Sequence, residues 1–220
     1  MNETKVAFHS IKFIHLCNME NTLKAHWEKV YETKTPQEVS WTQEVPQISL
    51  DLIHSFRLHK DAHIIDVGGG DSLLVDHLLD LGFTNISVLD ISINAIERAK
   101  RRLGTRSELV HWIESDINAF QPHVTYDLWH DRAAFHFLTQ EKDIQRYAKL
   151  VSSHAKNMVI GTFSTDGPLK CSGLEISQYD ESGLSELFQA QGFELFESKR
   201  EDHQTPFGTS QNFVFASFRK

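Results

Sequence analysis

The sequence predicts an α/β protein on a Rossmann-like, doubly wound sheet of seven strands, mostly parallel with one antiparallel strand. Three observations carry this. From about residue 60 onward, short β-branched runs alternate with amphipathic helical stretches, the pattern of βαβ units. A Gly-rich turn, Gly68-Gly69-Gly70, follows the first such run and opens a helix. Two apolar-rich runs at about 193–201 and 211–219 end the chain with a connection too short for a crossover, so they pair antiparallel.

The elements follow in order. Residues 63–67 form a buried strand, and a helix at about 72–81 carries Leu74, Val75, Leu78 and Leu79 on its core face, with Gly82 closing it. A second strand, 86–90, leads to Ser92, a helix cap, and a helix with Ala95, Ile96 and Ala99 on one side. Third and fourth strands are predicted at 109–113 and 126–130, a helix near 140–153, a fifth strand at 157–163 and a last helix at about 180–191 ending at Gly192. Residues 20–58 form a helical N-terminal cover in which Pro36 and Pro46 bracket a loop holding Trp41. Residues 1–18 are expected to be a flexible extension, and 19–220 a single domain.

Composition narrows the function. A net charge of −8 from 22 basic and 30 acidic residues argues against gripping nucleic-acid phosphates, and Lys100-Arg101-Arg102 is expected to be a solvated helix face. Two cysteines, Cys17 and Cys171, imply no disulfide framework and fit a reducing, cytoplasmic setting. No run approaches the roughly 18 apolar residues that cross a bilayer. The 13 histidines lack the spacing and neighbouring Cys or Glu ligands of a metal site, so none is expected.

The Gly loop by itself implies only a backbone that approaches a ligand. Two details go further. A dinucleotide fingerprint needs glycine at position 73, where this chain has Leu73. Acids recur near the carboxyl ends of three successive strands, at Asp66, Asp90 and Asp116. Such a crevice repels a pyrophosphate and suits a cation that carries an ammonium, a sulfonium, a ribose diol and an adenine: S-adenosylmethionine. Asp90 can accept from both ribose hydroxyls. Asp116 can accept from the adenine amino group, beside the Ile117 N–H.

These residues resemble the class I S-adenosylmethionine-dependent methyltransferases over about 27–219. IIDVGGGDS is similar to the family's first motif, LDIS to its acidic second-strand end and ESDI to its adenine-side motif. HWEKVYETKTPQEVSWTQEVP and DLWHDRAAFHFLT resemble a group of small bacterial methyltransferases of mostly unassigned substrate. The W-x3-Y…W opening is also similar to lysine methyltransferases that modify elongation factor 1A and citrate synthase. The resemblance implies cofactor contacts from Trp27, Tyr31, Trp41, Asp66, Gly68, Gly69, Gly70, Asp90, Ile91, Asp116, Ile117 and His130.

Methyl transfer is an in-line displacement, so alignment supplies much of the rate, up to roughly 7–11 kcal/mol in well-oriented systems. A base is needed only for a protonated acceptor. His130, Asp131 and Arg132, leaving the fourth strand, are the catalytic candidates: His130 to orient the acceptor or take its proton, Asp131 to receive a cationic acceptor, Arg132 an anionic one. Each also has a packing or pairing reading, as do His136 and Cys171. Trp27, Tyr31 and Trp41 offer aromatic faces to a sulfonium. The chain is expected to be a small-molecule methyltransferase, monomeric or weakly dimeric. Protein lysine methylation and a non-catalytic S-adenosylmethionine-binding module are the alternatives.

Overall fold

The computed structural model describes residues 22–220. The extension expected over 1–18 and the first residues of the cover lie outside the described residues. Helix α1 spans 22–33, with Leu23, Trp27, Val30 and Tyr31 at the spacing that puts them on one side. A 3-10 turn at Pro36–Glu38 and helix α2, Gln47–Ser55, complete the cover.

Seven strands follow the expected order along the chain: β1 His63–Val67, β2 Asn85–Asp90, β3 Val110–Glu114, β4 Tyr126–Arg132, β5 Ala155–Phe163, β8 Glu194–Gln204 and β9 Ser210–Arg219. Their spatial order is β3-β2-β1-β4-β5-β9-β8, with β9 antiparallel to both neighbours and the first five strands parallel. The order reverses between β1 and β4. Such a switch point opens a crevice beyond the carboxyl ends of the strands.

Helices α3 (Leu74–Asp80), α4 (Ile93–Leu103), α5 (Glu141–His154) and α6 (Glu181–Gln189) link the strands. One core lies beneath α5 and α6, around Trp129, Tyr147, Met158 and Phe188; the other lies beneath α2 and α3, around Leu52, Ile64, Leu128 and Phe215. Ser92 caps α4 as expected, its hydroxyl accepting from the Ala95 N–H at 3.2 Å.

Three details depart from the sequence reading. Strand β4 runs to Arg132, two residues past its expected end, because β1 and β5 flank it there: Val67 pairs with Asp131 and Arg132 with Gly161. A small hairpin, β6 (Lys170–Cys171) and β7 (Leu174–Glu175), fills what reads as loop. The basic run at the end of α4 faces solvent, with Arg101 and Arg102 exposed, but Arg102 is not free. Arg102 binds Asp76 at 2.7 Å and the carbonyls of Asp71 and Ser72 at 2.8 Å, clamping the end of the Gly loop.

Candidate active site

At the carboxyl end of β1 the chain turns through Gly68 at φ +68° and Gly70 at φ +29°, a region that side chains with a Cβ avoid. The Gly68 and Gly69 amides donate to the Leu89 carbonyl at 2.7 and 3.3 Å, stitching the loop to β2. A Cβ at Gly68 would lie 2.6 Å from the Ala134 methyl, and one at Gly70 2.6 Å from Asp90 Oδ2; one at Gly69 would collide with Asp66 Oδ2. The loop therefore packs its backbone directly onto two carboxylates.

Those carboxylates are buried. Asp66 Oδ2 has no hydrogen-bond partner, and Asp90 Oδ1 accepts from the Ser92 N–H at 2.8 Å. Burial raises the Asp90 carboxyl to about 7, opposed by the Ser92 N–H and reinforced by repulsion from Asp71, Asp66 and Glu28. Burial likewise raises Asp71, against the pull of Arg98 and Arg102. Four acids thus surround the Gly loop and the end of β2. A phosphate would add repulsion here, whereas a cation relieves it; the donor set fits S-adenosylmethionine. Ile91 is half-buried beside Asp90. Asp116 lies two residues beyond β3, with Oδ1 accepting from the Asn118 N–H at 2.8 Å, and Ile117 packs against the core beneath α5 and α6.

The cover closes this crevice. Trp27 lies 5.6 Å from Trp41 and 6.3 Å from Tyr31, ring centre to ring centre, and 5.1 Å from Phe137. Tyr31 is buried. Glu28, which the sequence reading passed over, fixes α1 in place. Its carboxylate accepts from the Ile93 N–H at 2.8 Å, the Ser92 hydroxyl at 3.0 Å and the Asn94 N–H at 3.1 Å. An acid at a helix N-terminus is favoured by the unpaired amides there. Its place on the helix between Trp27 and Tyr31 was the available signal; its target on α4 was not legible.

The three residues at the end of β4 all have partners within the chain. His130 is buried, its Nδ1 2.6 Å from Asp66 Oδ1 and its Nε2 2.9 Å from the Ser49 hydroxyl of α2. Asp131 projects to the opposite side of the sheet. Its Oδ1 accepts from the Ala134 and Phe135 N–H groups at 3.1 and 3.0 Å, and its Oδ2 from the Tyr147 hydroxyl at 2.7 Å. Burial raises its carboxyl to about 6, while those same donors hold it down. It anchors a turn in which Ala133 sits at φ +66°, the turn that presses Ala134 onto Gly68. Arg132 donates from Nη1 to the Trp41 carbonyl at 2.9 Å.

Around Arg132, on the α2 side of the sheet, lies a second polar group. His136 is fully buried, stacked on Phe163 at 4.7 Å, and neither ring nitrogen has a partner. Burial, and then the Arg132 charge, lowers its pKa to about 3, so it is neutral. Glu201 and His203 of β8 both meet the Gln43 amide, at 3.0 and 3.3 Å. Cys171 is buried and its thiol is pushed up to about 12 by burial. Among the described residues no group of three or more His, Cys, Asp or Glu side chains could hold a metal ion, and no helix is long and apolar enough to cross a membrane.

The strand order and the Gly loop at the switch point are those of the class I S-adenosylmethionine-dependent methyltransferases, and this chain has their fold. Residues 65–158 match the family model described as a methyltransferase domain. The malonyl-[acyl-carrier protein] O-methyltransferase 2 of Ilyobacter polytropus is 27% identical over 105 residues, covering 47% of this chain and 40% of that protein. The eEF1A lysine and N-terminal methyltransferase of Mus musculus is 24% identical over 121 residues, covering 54% of this chain and 17% of that protein. The matches thus span less than half the length of these curated relatives.

Solved structures agree over more of the chain. The Burkholderia thailandensis 1,6-didemethyltoxoflavin-N1-methyltransferase, bound to 1,6-didemethyltoxoflavin and S-adenosylhomocysteine, aligns with a TM-score of 0.69 at 16% identity, covering 92% of this chain and 89% of that one. An S-adenosylmethionine-dependent methyltransferase from Anabaena variabilis aligns with a TM-score of 0.71 at 14% identity, covering 91% and 94%.

Proposed function

We propose that the chain is a methyltransferase that takes its methyl group from S-adenosylmethionine and delivers it to a small molecule. The observation that carries this reading is the convergence of Asp66, Asp71, Asp90 and Glu28 on a glycine loop that admits no side chain. When bound, S-adenosylmethionine supplies a methyl carbon activated by its positively charged sulfur.

The residues of this chain then bind, align and exclude water. Asp90 would accept from the ribose hydroxyls, Asp116 and the Ile117 N–H would meet the adenine, and the Gly68–Gly70 backbone and Ile91 would lie against the cofactor. Trp27, Tyr31 and Trp41 would offer aromatic faces to its cationic centre, an attraction of roughly 0.5–2 kcal/mol. His130 and Asp131 are positioning residues, because their polar atoms already hold Asp66, Ser49, Tyr147 and the turn at Ala133. The donor would supply an electrophilic methyl carbon and a thioether leaving group that keeps the bonding electrons, and an acceptor that arrived protonated would release its proton.

A small acceptor suits an aromatic cover that packs closely over the crevice. The likeness to a lysine methyltransferase supports a protein acceptor as the second reading. Calorimetry with S-adenosylhomocysteine tests the cofactor site: Asp90→Ala should weaken binding by at least ~30-fold, about 2 kcal/mol, the loss of even one hydrogen bond to a charged acceptor. Unchanged affinity removes Asp90 from the site. Incubation with methyl-labelled cofactor and fractionated extracts separates the acceptors: label in the low-mass fraction supports a small molecule, and label only in protein supports the second reading.

A further inference from the structure

Buried hydrogen-bonding groups are nearly always paired, and each one left over costs stability, so a cluster of them in one place requires an explanation. On the α2 side of the sheet, past the ends of β4 and β5, such a cluster surrounds Arg132. Its guanidinium spends Nη1 on the Trp41 carbonyl, while Nε and Nη2 are buried with no partner. Those two N–H groups lie along one edge of the planar guanidinium and point in parallel. That edge is the fork that grips a carboxylate with two hydrogen bonds.

The rest of the cluster is acceptor-rich. Glu201 Oε2 and Gln211 Oε1 are also buried without partners, although Glu201 Oε1 accepts from Gln43. Strand register puts these groups on one side: Glu201 is opposite Phe213, whose ring lies 5.2 Å from the Arg132 guanidinium, and Gln211 is opposite His203. Arg132 and Glu201 feel each other's charge but are not ion-paired, and His136 between the aromatic rings brings no charge of its own. A buried cation and a buried anion held apart, each with a free edge, match a molecule that carries the opposite pair.

We infer that this cluster is the acceptor subsite, and that it holds a small molecule bearing a carboxylate on the Arg132 fork and a neighbouring hydrogen-bond donor, such as an amine, toward Glu201 and Gln211. The pattern is that of a free amino acid. This rests on the methyltransferase reading and narrows its acceptor class. Arg132 is then a substrate-binding residue that fixes the acceptor's orientation, and the methylated atom belongs to the remainder of the molecule. Because α1 and the Trp41 loop seal the cluster, the acceptor enters when that cover opens.

The test uses the full chain loaded with S-adenosylhomocysteine. Thermal shift and calorimetry are run with the twenty common L-amino acids, and for any that binds, with its methyl ester and its N-acetyl derivative. At least one free amino acid should bind, with each derivative at least tenfold weaker. Arg132→Lys keeps the charge but loses the parallel fork, and Glu201→Gln keeps the size but loses the charge. Each should weaken amino-acid binding at least tenfold while S-adenosylhomocysteine affinity stays within about twofold. Retained S-adenosylhomocysteine binding also shows that the variants fold. The inference is overturned if no amino acid binds a protein that does bind S-adenosylhomocysteine, if the ester binds as well as the acid, or if both variants bind like wild type. A chain that fails to bind S-adenosylhomocysteine at all defeats instead the cofactor reading beneath it.

Discussion

At the scale of single residues, the acids and the histidines behave very differently from what their types suggest. His136 is a core group stacked on Phe163 and edge-on to Phe137, and its neutrality is enforced by burial. A histidine whose folded pKa lies near 3 binds fewer protons than the unfolded chain does below pH 6.5. Its contribution is therefore present above pH 6.5 and is lost as the pH falls toward 3. Between pH 6.5 and 5 this amounts to about 2 kcal/mol. His136→Phe, which keeps the ring stack, should lose about that much less stability than wild type over the same interval. Urea denaturation at the two pH values checks it, and parallel losses in both proteins would show that His136 is charged in the fold. The Gly loop shows residue identity set by contact: Gly69→Ala forces a methyl onto Asp66 Oδ2, with Val88 also only 3.0 Å away. That overpacking should cost about 1–3 kcal/mol in thermal or chemical denaturation, and a variant as stable as wild type would mean the loop relaxes freely.

At the scale of elements, the cover is held by few but specific ties. Glu28 joins α1 to the N-terminus of α4, Arg98 reaches the carbonyls of Tyr31 and Lys34, and Lys24 pairs with Glu114 at the end of β3. The Lys24 pair is exposed and contributes little. Glu28 matters more, since its carboxylate satisfies amides that the helix cannot. Glu28→Ala should lower the barrier to opening α1, raising amide hydrogen exchange across 22–33 about tenfold and costing about 1–2 kcal/mol of stability. Unchanged exchange in that segment would mean the aromatic packing of Trp27 and Tyr31 holds the cover alone. Strand β4 illustrates the same dependence on neighbours. Asp131 and Arg132 look like loop residues by composition, yet the ladders to β1 and β5 carry them as strand and send their side chains to opposite sides.

At the scale of the whole molecule, the crevice couples protonation to ligand binding. Burial raises Asp90 to about 7 and Asp131 to about 6, against 3.8 for both when exposed. An acid with a raised folded pKa contributes stability that is complete below about pH 4 and is lost as the pH rises through its folded value. The ligand-free protein therefore loses stability from this source between pH 4 and 7, opposite in sign to the His136 effect. On the proposed reading, in which cofactor hydroxyls would donate to the ionised Asp90, S-adenosylhomocysteine affinity should rise by up to ~10-fold per pH unit below about pH 7 and level off above it. Calorimetry from pH 5.5 to 8.5 checks this, and a flat profile would show Asp90 ionised throughout.

The sequence alone determined the alternation of strands and helices, the reversed strand at the end of the chain, and the Gly loop with Asp66 and Asp90 beside it. These are local signals, set by periodicity, glycine and short motifs, and they survive folding because neighbouring elements only reinforce them. Tertiary structure decided what the polar side chains meet. His130 and Asp131 turned inward to Ser49 and Tyr147, Glu28 reached α4 across 65 residues of chain, and Arg132 came within reach of the charge of Glu201. Partners this distant in sequence leave no periodic trace, because burial and strand register, not spacing along the chain, choose them.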